Sequence, residues 1–162
     1  RVRSSAASDV YKRQGMGTMG FCLPAAIGAT FGRPDRTVCA FMGDGGLQMT
    51  MQELGTVMEQ KAPVKIILMN NNYLGNVRQW QAMFFSRRYS FTPMMNPDYM
   101  QIASAYGIAS RRVMSREELN DGIQEMLSTD GPFLLEVCVV EEGNVLPMTP
   151  PGSSVNYMLM EC

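Results

Sequence analysis

A carboxylate and a group of carboxamides follow two short apolar segments of this chain. Asp44 lies within a glycine-rich run at positions 43–46, and asparagines occupy positions 70–72. Oxygens of these types suit Mg²⁺, which takes few ligands from protein and completes its octahedral shell with phosphate oxygens and water. The residues therefore indicate chemistry in which a hard cation holds a diphosphate.

The elements that would position these side chains can be predicted from the same stretch. Residues 37–42 form an apolar, partly β-branched run typical of a buried strand, and 64–69 form another. Between them, 47–61 carry apolar residues on one face of a helical period. Strand, helix and strand should form a right-handed parallel unit, which brings Asp44 and the asparagines to the carboxyl edge of the sheet, where ligands bind.

The glycines after Asp44 suit a phosphate at the start of the predicted helix. Free backbone N–H groups and the helix dipole favour an anion there, and Gly45 and Gly46 allow it to approach the backbone closely. Each motif alone has a simpler interpretation, because Gly-Asp-Gly is most often a turn and an asparagine run is usually a loop or a cap. Joined across a β-α-β unit, the two motifs favour the cation-diphosphate interpretation.

At this spacing the two motifs resemble the cofactor signature of thiamine diphosphate enzymes, and the flanking sequence resembles the acetolactate synthase family. The resemblance covers residues 15–160 and is most specific over 15–81, where it rests on positions 17–20, 23–29, 49–54, 70–75 and 78–81. It implies a three-layer α/β fold, with a parallel sheet flanked by helices, that binds thiamine diphosphate and Mg²⁺.

The resemblance also implies the site residues. Asp44, Asn71 and the backbone carbonyl of Tyr73 would hold the Mg²⁺. The residues that would contact the cofactor are Gly17, Met19, Gly43, Asp44, Gly45, Gly46, Asn71 and Tyr73. Met19 would lie beneath the bent cofactor, which is a positioning effect rather than acid–base chemistry.

A substrate pocket is implied at Asn76, Val77 and Trp80. Val77 and Trp80 share a helical face if the segment from Gly75 is helical, and in the family a Trp here shapes the pocket for the second 2-ketoacid. From the residues alone, Trp80 is equally well a core or interface anchor. Asn76 departs from the Met found in many members, and its amide could bind a substrate carbonyl or carboxylate, or cap the helix.

The resemblance implies that the complete enzyme condenses two 2-ketoacids, pyruvate with pyruvate or 2-ketobutyrate, with loss of CO₂, in branched-chain amino acid biosynthesis. It also implies a homo-oligomer of at least two subunits, a regulatory small subunit, FAD in another domain, and a catalytic glutamate in a pyrimidine-binding domain. No segment here resembles those domains. We expect a C-terminal part of a larger subunit, without a catalytic residue of its own and inactive alone. The alternatives are another thiamine diphosphate-dependent decarboxylase, carboligase or oxidase, and a non-catalytic α/β assembly domain.

Composition narrows the class of protein. The 162 residues are 46% hydrophobic with a net charge of −1, which suits one globular domain and gives no reason to expect nucleic acid or an acidic membrane. The absence of histidine excludes Ser-His-Asp, Cys-His and His-metal chemistry within the chain. The four cysteines have no metal-binding spacing and read as reduced thiols. No apolar run reaches the ~20 residues that span a bilayer, so we expect a cytoplasmic protein, with an organelle left open.

The two ends and the second half complete the prediction. Residues 1–14 look like a non-native leader, so the domain is assigned to 15–162. Asn96, followed by a proline, predicts an N-cap and a helix ending at Tyr106, and Ser115 with Glu118 predicts a capping box for a helix over 116–127. Residues 133–140 predict the last strand, and 141–162 an ordered tail without a further strand.

Overall fold

The computed structural model describes residues 18–150, 152–154 and 156–160. The predicted leader at 1–14 and the predicted cofactor contact Gly17 lie outside these residues. Four parallel strands form one sheet in the order β1-β2-β4-β3. The strands are β1 (Cys39–Gly43), β2 (Lys65–Asn70), β3 (Ala109–Val113) and β4 (Phe133–Cys138).

Helices connect the strands and cover both faces of the sheet. They are α1 (Cys22–Gly32), α2 (Asp44–Thr50), α3 (Leu54–Gln60), α4 (Gly75–Phe84), α5 (Tyr99–Ala105) and α6 (Arg116–Ser128), with a 3₁₀ turn, Met51–Glu53, between α2 and α3. The three-layer parallel α/β fold that the sequence predicted is confirmed.

The core lies on two sides of the sheet because neighbouring strand residues point to opposite faces. On one side Ile66, Leu68 and Leu134 pack with apolar residues of α1, α2, α3 and α5. On the other side Ile67 and Leu135 pack with residues of α6. Beyond α6 this second face is open, and Phe41 on β1 is 60% exposed. The open part of the face forms the floor of the cavity described below.

The first β-α-β unit is confirmed, but the single helix predicted over 47–61 is divided into α2 and α3 by the 3₁₀ turn Met51–Glu53. Gly43 pairs with Met69 in the β1–β2 register, so the residues that follow the two strands emerge at the same edge. The helix predicted from residue 47 begins earlier, at Asp44, since the glycines there adopt helical geometry. The helix from Gly75 is also confirmed.

In the second half the capping box is confirmed and the start of α5 is corrected. Ser115 and Glu118 make both bonds of the box at the start of α6. The N-cap assignment to Asn96 was wrong: Asp98 caps α5, its side chain accepting a hydrogen bond from the backbone N–H of Met100. Because Asp98 caps the helix, the amide of Asn96 does not serve as a cap and instead bonds to Asp44.

Two further differences concern strands. β3 was not predicted, and the last strand ends at Cys138 rather than at residue 140. Within the described part of the tail after residue 140, the only pairing of strand type is an isolated bridge between Met148 and Leu159. None of the described helices is long and apolar enough to cross a membrane.

Candidate functional site

Asp44 is the centre of the site. It is the first residue of α2, directly after β1, and only 2% of its surface is exposed. Its Oδ1 accepts a hydrogen bond from the backbone N–H of Gly45 (2.8 Å), and its Oδ2 accepts from the backbone N–H of Asn72 (2.9 Å) and from Nδ2 of Asn96 (2.7 Å). These bonds satisfy a buried carboxylate that would otherwise be costly to desolvate.

The loop after β2 lies beside this carboxylate. Asn72 has a φ of 56°, a left-handed conformation that asparagine tolerates and that turns the chain at the sheet edge. Asn71 is half-buried, and its Oδ1 accepts a hydrogen bond from the backbone N–H of Tyr73 (3.2 Å). The Asp44 carboxylate and the asparagines of the loop are therefore gathered at one edge, as the sequence predicted from the parallel unit.

A second segment closes the loop from outside. The backbone N–H of Leu74 donates to the carbonyl of Thr92, and the backbone N–H of Met94 donates to the carbonyl of Asn72, both at 2.8 Å. This pairing continues the chain to Asn96, whose amide enters the site. The contact between Asn96 and Asp44 could not be predicted from a local sequence pattern, because the two residues are 52 positions apart.

An open cavity of about 600 Å³ lies over the glycine-rich turn and the uncovered part of the sheet. Most of the predicted site residues line it, namely Met19, Gly43, Asp44, Gly45, Gly46, Asn71, Tyr73, Asn76 and Val77. Trp80 is not among the lining residues; it is half-buried, and its ring packs edge-on against Phe84 at a centroid distance of 5.5 Å.

The two glycines after Asp44 have different surroundings. A Cβ at Gly45 would lie 2.6 Å from Cε of Met19 and 3.0 Å from Cδ2 of Leu74, so a side chain there needs its neighbours to move. A Cβ at Gly46 would meet only Cβ of Met42, at 4.0 Å. The protein therefore leaves room for a ligand at Gly46, and it uses the space at Gly45 to pack Met19 against the turn.

The predicted substrate residues lie on the first turns of α4. Val77 is 48% exposed and lines the cavity together with Asn76. Helix α4 has no side-chain cap, so of the two roles considered for Asn76 the capping role is not realised.

A polar chain behind Asp44 was missed from the sequence. Nδ2 of Asn70 donates to Oε1 of Glu136 (2.6 Å), and Oδ1 of Asn70 accepts from Nδ2 of Asn96 (2.8 Å). Glu136 is 1% exposed and is the single charged residue in the apolar run 133–140, a signal that could have identified it. Asn96 carried no such signal because its pattern also fits a helix cap.

Arg112 on β3 compensates the buried Glu136. Its Nε donates to Oε2 of Glu136 (2.6 Å), and its second guanidinium nitrogen bonds Asp98 (2.9 Å). The hydrogen bond that Arg112 donates to Glu136 raises the pKa of Arg112 above its usual value. Paired and hydrogen-bonded in this way, a buried carboxylate can be retained in the sheet.

The donor set fits Mg²⁺ rather than a transition metal. In the described part of the chain no three His, Cys, Asp or Glu residues cluster to hold a metal. The cavity instead is bordered by Asp44, Asn71 and Tyr73, residues that carry carboxylate, amide and carbonyl oxygens. A hard cation bound through few protein oxygens, with phosphate and water completing its shell, needs such a set.

The fold and the cavity define an open-sheet α/β domain with a ligand site at the carboxyl edge of its strands. Residues 2–137 match the family model described as thiamine pyrophosphate enzyme, C-terminal TPP binding domain. The chain belongs to this family.

Curated relatives agree with that assignment. The chain is 48% identical over 146 residues to the acetolactate synthase isozyme 2 large subunit of Escherichia coli, a match that covers 90% of this chain and 27% of the relative. It is 44% identical over 145 residues to the mitochondrial acetolactate synthase catalytic subunit of Saccharomyces cerevisiae, covering 90% and 21%. It is 43% identical over 155 residues to chloroplastic acetolactate synthase 2 of Nicotiana tabacum, covering 91% and 23%. The chain thus spans about a quarter of the length of these relatives.

Proposed function

We propose that this chain is the part of an acetolactate synthase catalytic subunit that binds thiamine diphosphate through Mg²⁺. The observation that carries the proposal is the buried carboxylate of Asp44, which borders one cavity together with Asn71 and Tyr73. The names of the relatives support the reaction class. In the complete enzyme the substrates would be 2-ketoacids, pyruvate with pyruvate or 2-ketobutyrate, condensed with loss of CO₂ in branched-chain amino acid biosynthesis.

The residues of this chain would bind and orient the cofactor. Bound thiamine diphosphate supplies the carbon nucleophile that this class of reaction requires. Asp44, Asn71 and the carbonyl of Tyr73 would hold the Mg²⁺. The backbone N–H of Gly46 would donate to a phosphate oxygen at the start of α2, because the N–H of Gly45 is already bonded to Asp44.

Met19, Asn76 and Val77 would shape the remainder of the cavity. The end of the Met19 side chain packs against Gly45 and would support the organic part of the cofactor from below. Asn76 and Val77 project from the first turn of α4 and would border the 2-ketoacid. Trp80 lies one turn further along α4 and does not line the cavity. It would therefore shape the pocket for the acceptor acid indirectly.

Thermal unfolding of the purified chain tests cofactor binding. The chain would be melted with Mg²⁺ alone, with thiamine diphosphate alone, and with both. Since ligand at about 100 times its Kd stabilises a protein by roughly 2.7 kcal/mol, we expect the pair to raise Tm by about 5–10 °C and each component alone to raise it much less. No shift with the pair, for a chain that is folded by circular dichroism, would contradict the proposal.

We also propose that the isolated chain does not turn over pyruvate. Asp44 is the single carboxylate among the described lining residues. Three hydrogen bonds hold its oxygens in place, which suits it to positioning a cation rather than to transferring protons. No second acid borders the cavity in that part of the chain to exchange protons with a cofactor. The measurement is acetolactate production from pyruvate with Mg²⁺ and thiamine diphosphate, where we expect no product. Sustained turnover would show that the described residues suffice.

We further propose that the complete enzyme binds FAD, forms a homo-oligomer and associates with a regulatory small subunit. We propose a cytoplasmic location. The relatives named as mitochondrial and chloroplastic cover nearly the same share of this chain as the bacterial relative, so similarity does not distinguish the compartments.

A further inference from the structure

Asn96 binds three oxygens at the sheet edge, although it belongs to none of the proposed cofactor contacts. Its Nδ2 lies 2.7 Å from Oδ2 of Asp44, 2.8 Å from Oδ1 of Asn70 and 3.1 Å from Oδ1 of Asn72. An amide nitrogen has two protons, so the two short bonds take one each and the contact with Asn72 is shared. The side chain of Asn96 therefore connects Asp44, which follows β1, to Asn70, which ends β2, and to Asn72 in the loop after it.

Carboxylates determine the orientation of both amides in this chain of bonds. A carboxylate only accepts hydrogen bonds, so Asp44 requires the nitrogen of Asn96 to face it. Glu136 likewise takes the nitrogen of Asn70, which leaves the Asn70 oxygen facing Asn96. Flipping either amide would set oxygen against oxygen, and the arrangement is therefore a single, defined one.

The oxygen of Asn96 is held as firmly as its nitrogen. Its Oδ1 accepts from Nε2 of Gln48 on α2 (2.7 Å) and from the hydroxyl of Tyr99 on α5 (3.1 Å). Tyr99 is fully buried, so packing holds its hydroxyl in one position. Asn96 is thus hydrogen-bonded to side chains of α2 and α5 as well as to the carboxylate of Asp44.

We propose that Asn96 is a positioning residue that sets Asp44 in the geometry required by a small octahedral cation. This inference rests on the proposed function and adds a determinant of cation choice. Mg²⁺ needs near-ideal geometry at about 2.0–2.1 Å, whereas Ca²⁺ accepts irregular shells at about 2.3–2.6 Å. Loosening Asp44 should therefore weaken binding of Mg²⁺ more than binding of Ca²⁺.

The first test needs no ligand. Amide hydrogen exchange would be followed at Asn72 in the wild-type chain and in Asn96→Ala. The N–H of Asn72 donates to Oδ2 of Asp44 and to Oδ1 of Asn70, the same two oxygens that Nδ2 of Asn96 positions. We expect exchange at Asn72 to accelerate at least tenfold in Asn96→Ala. Ser115→Ala is the matched control, since it removes the capping box of α6, away from the site, and should leave Asn72 protected. Unchanged protection in Asn96→Ala would overturn the positioning role.

The second test measures cation selectivity. Dissociation constants of Mg²⁺ and Ca²⁺ would be determined with saturating thiamine diphosphate for the same variants. We expect the preference for Mg²⁺ over Ca²⁺ to fall at least tenfold in Asn96→Ala and to persist in Ser115→Ala. Equal weakening of both cations, or no change in either, would overturn the inference, because general destabilisation does not alter a selectivity ratio.

A milder variant protects the test against misfolding. Gln48 is exposed, and Gln48→Ala removes one brace from the Asn96 oxygen without disturbing the core. We expect a smaller change in the same direction in both measurements, and no change in either would count against the inference. A wild-type chain that binds neither cation would contradict the proposed function, while faster exchange at Asn72 in Asn96→Ala would still support the positioning role.

Discussion

The adjacent glycines Gly45 and Gly46 allow the roles of packing and ligand binding to be separated. Gly45→Ala would place its Cβ 2.6 Å from Cε of Met19, the flexible end of that side chain, so we expect Met19 to be displaced and the ligand-free chain to lose up to about 1 kcal/mol of stability. Gly46→Ala meets nothing closer than 4.0 Å and lies within α2, where alanine favours the helix, so stability should hold or rise by up to about 1 kcal/mol. Urea unfolding of both variants provides the comparison.

Ligand binding completes that experiment. With Mg²⁺ and thiamine diphosphate present, Gly46→Ala should lose most of the thermal shift, because its methyl group occupies the space proposed for a phosphate oxygen. A full thermal shift in Gly46→Ala would place the diphosphate elsewhere in the cavity.

Single residues also mark the limit of prediction from sequence. Asp44 and the asparagines at 70–72 could be placed at one edge because they follow apolar strands, and parallel strands end at the same edge. The choice of Asn71 among them came from the family resemblance and stays a prediction. Asn96 could not, because its partners are distant in sequence and its Asn-Pro pattern fits a helix cap. Asp98, two residues later, takes that capping role, which no local pattern decides.

At the scale of elements, β3 carries two arginines whose partners differ in burial. Arg112 pairs with Glu136, whose side chain is 2% exposed, whereas Arg111 pairs with Glu125 on α6, whose side chain is 47% exposed. Removing the Glu136 charge leaves Arg112, which is 37% exposed and keeps Asp98 as a partner, so the cost is smaller than for a fully buried pair. We expect Glu136→Gln to cost about 1–2 kcal/mol of stability and Glu125→Gln less than about 1 kcal/mol.

Chemical unfolding of these two variants is a matched comparison, because each removes one negative charge facing the same strand. Glu136→Gln should also weaken cofactor binding, since glutamine has one acceptor oxygen where Glu136 has two, and the Arg112 guanidinium would compete with the Asn70 amide for it. Equal costs for the two variants would show that the buried pair does not organise this edge of the sheet.

The same strand explains why half of the sheet was easier to predict than the rest. β1 and β2 lie in continuous apolar runs bounded by turn residues, and such runs identify strands. β3 is an edge strand with the sequence Ala-Ser-Arg-Arg-Val. Its arginines face carboxylates of β4 and α6, and Val113 is its one side chain in the core, so hydrophobic periodicity does not detect this strand.

At the scale of the whole molecule, the sheet has one covered half and one open half on its second face. Helix α6 packs over β3 and β4, while Phe41 of β1 and Met69 of β2 remain exposed on the cavity floor. The fold class followed from the order of elements in the sequence. The open half did not, because it depends on which helix covers which strands, and that is decided by tertiary packing.

Isothermal titration calorimetry of thiamine diphosphate in the presence of Mg²⁺ tests the central claim most directly. The three proteins would be the wild-type chain, Asp44→Asn and Asp35→Asn, the last a control that removes an exposed carboxylate between α1 and β1. We predict equal affinity for the wild type and Asp35→Asn, and at least tenfold weaker binding, about 1.4 kcal/mol, for Asp44→Asn. Equal affinity for all three proteins would contradict the assignment of the Mg²⁺ and diphosphate site to Asp44.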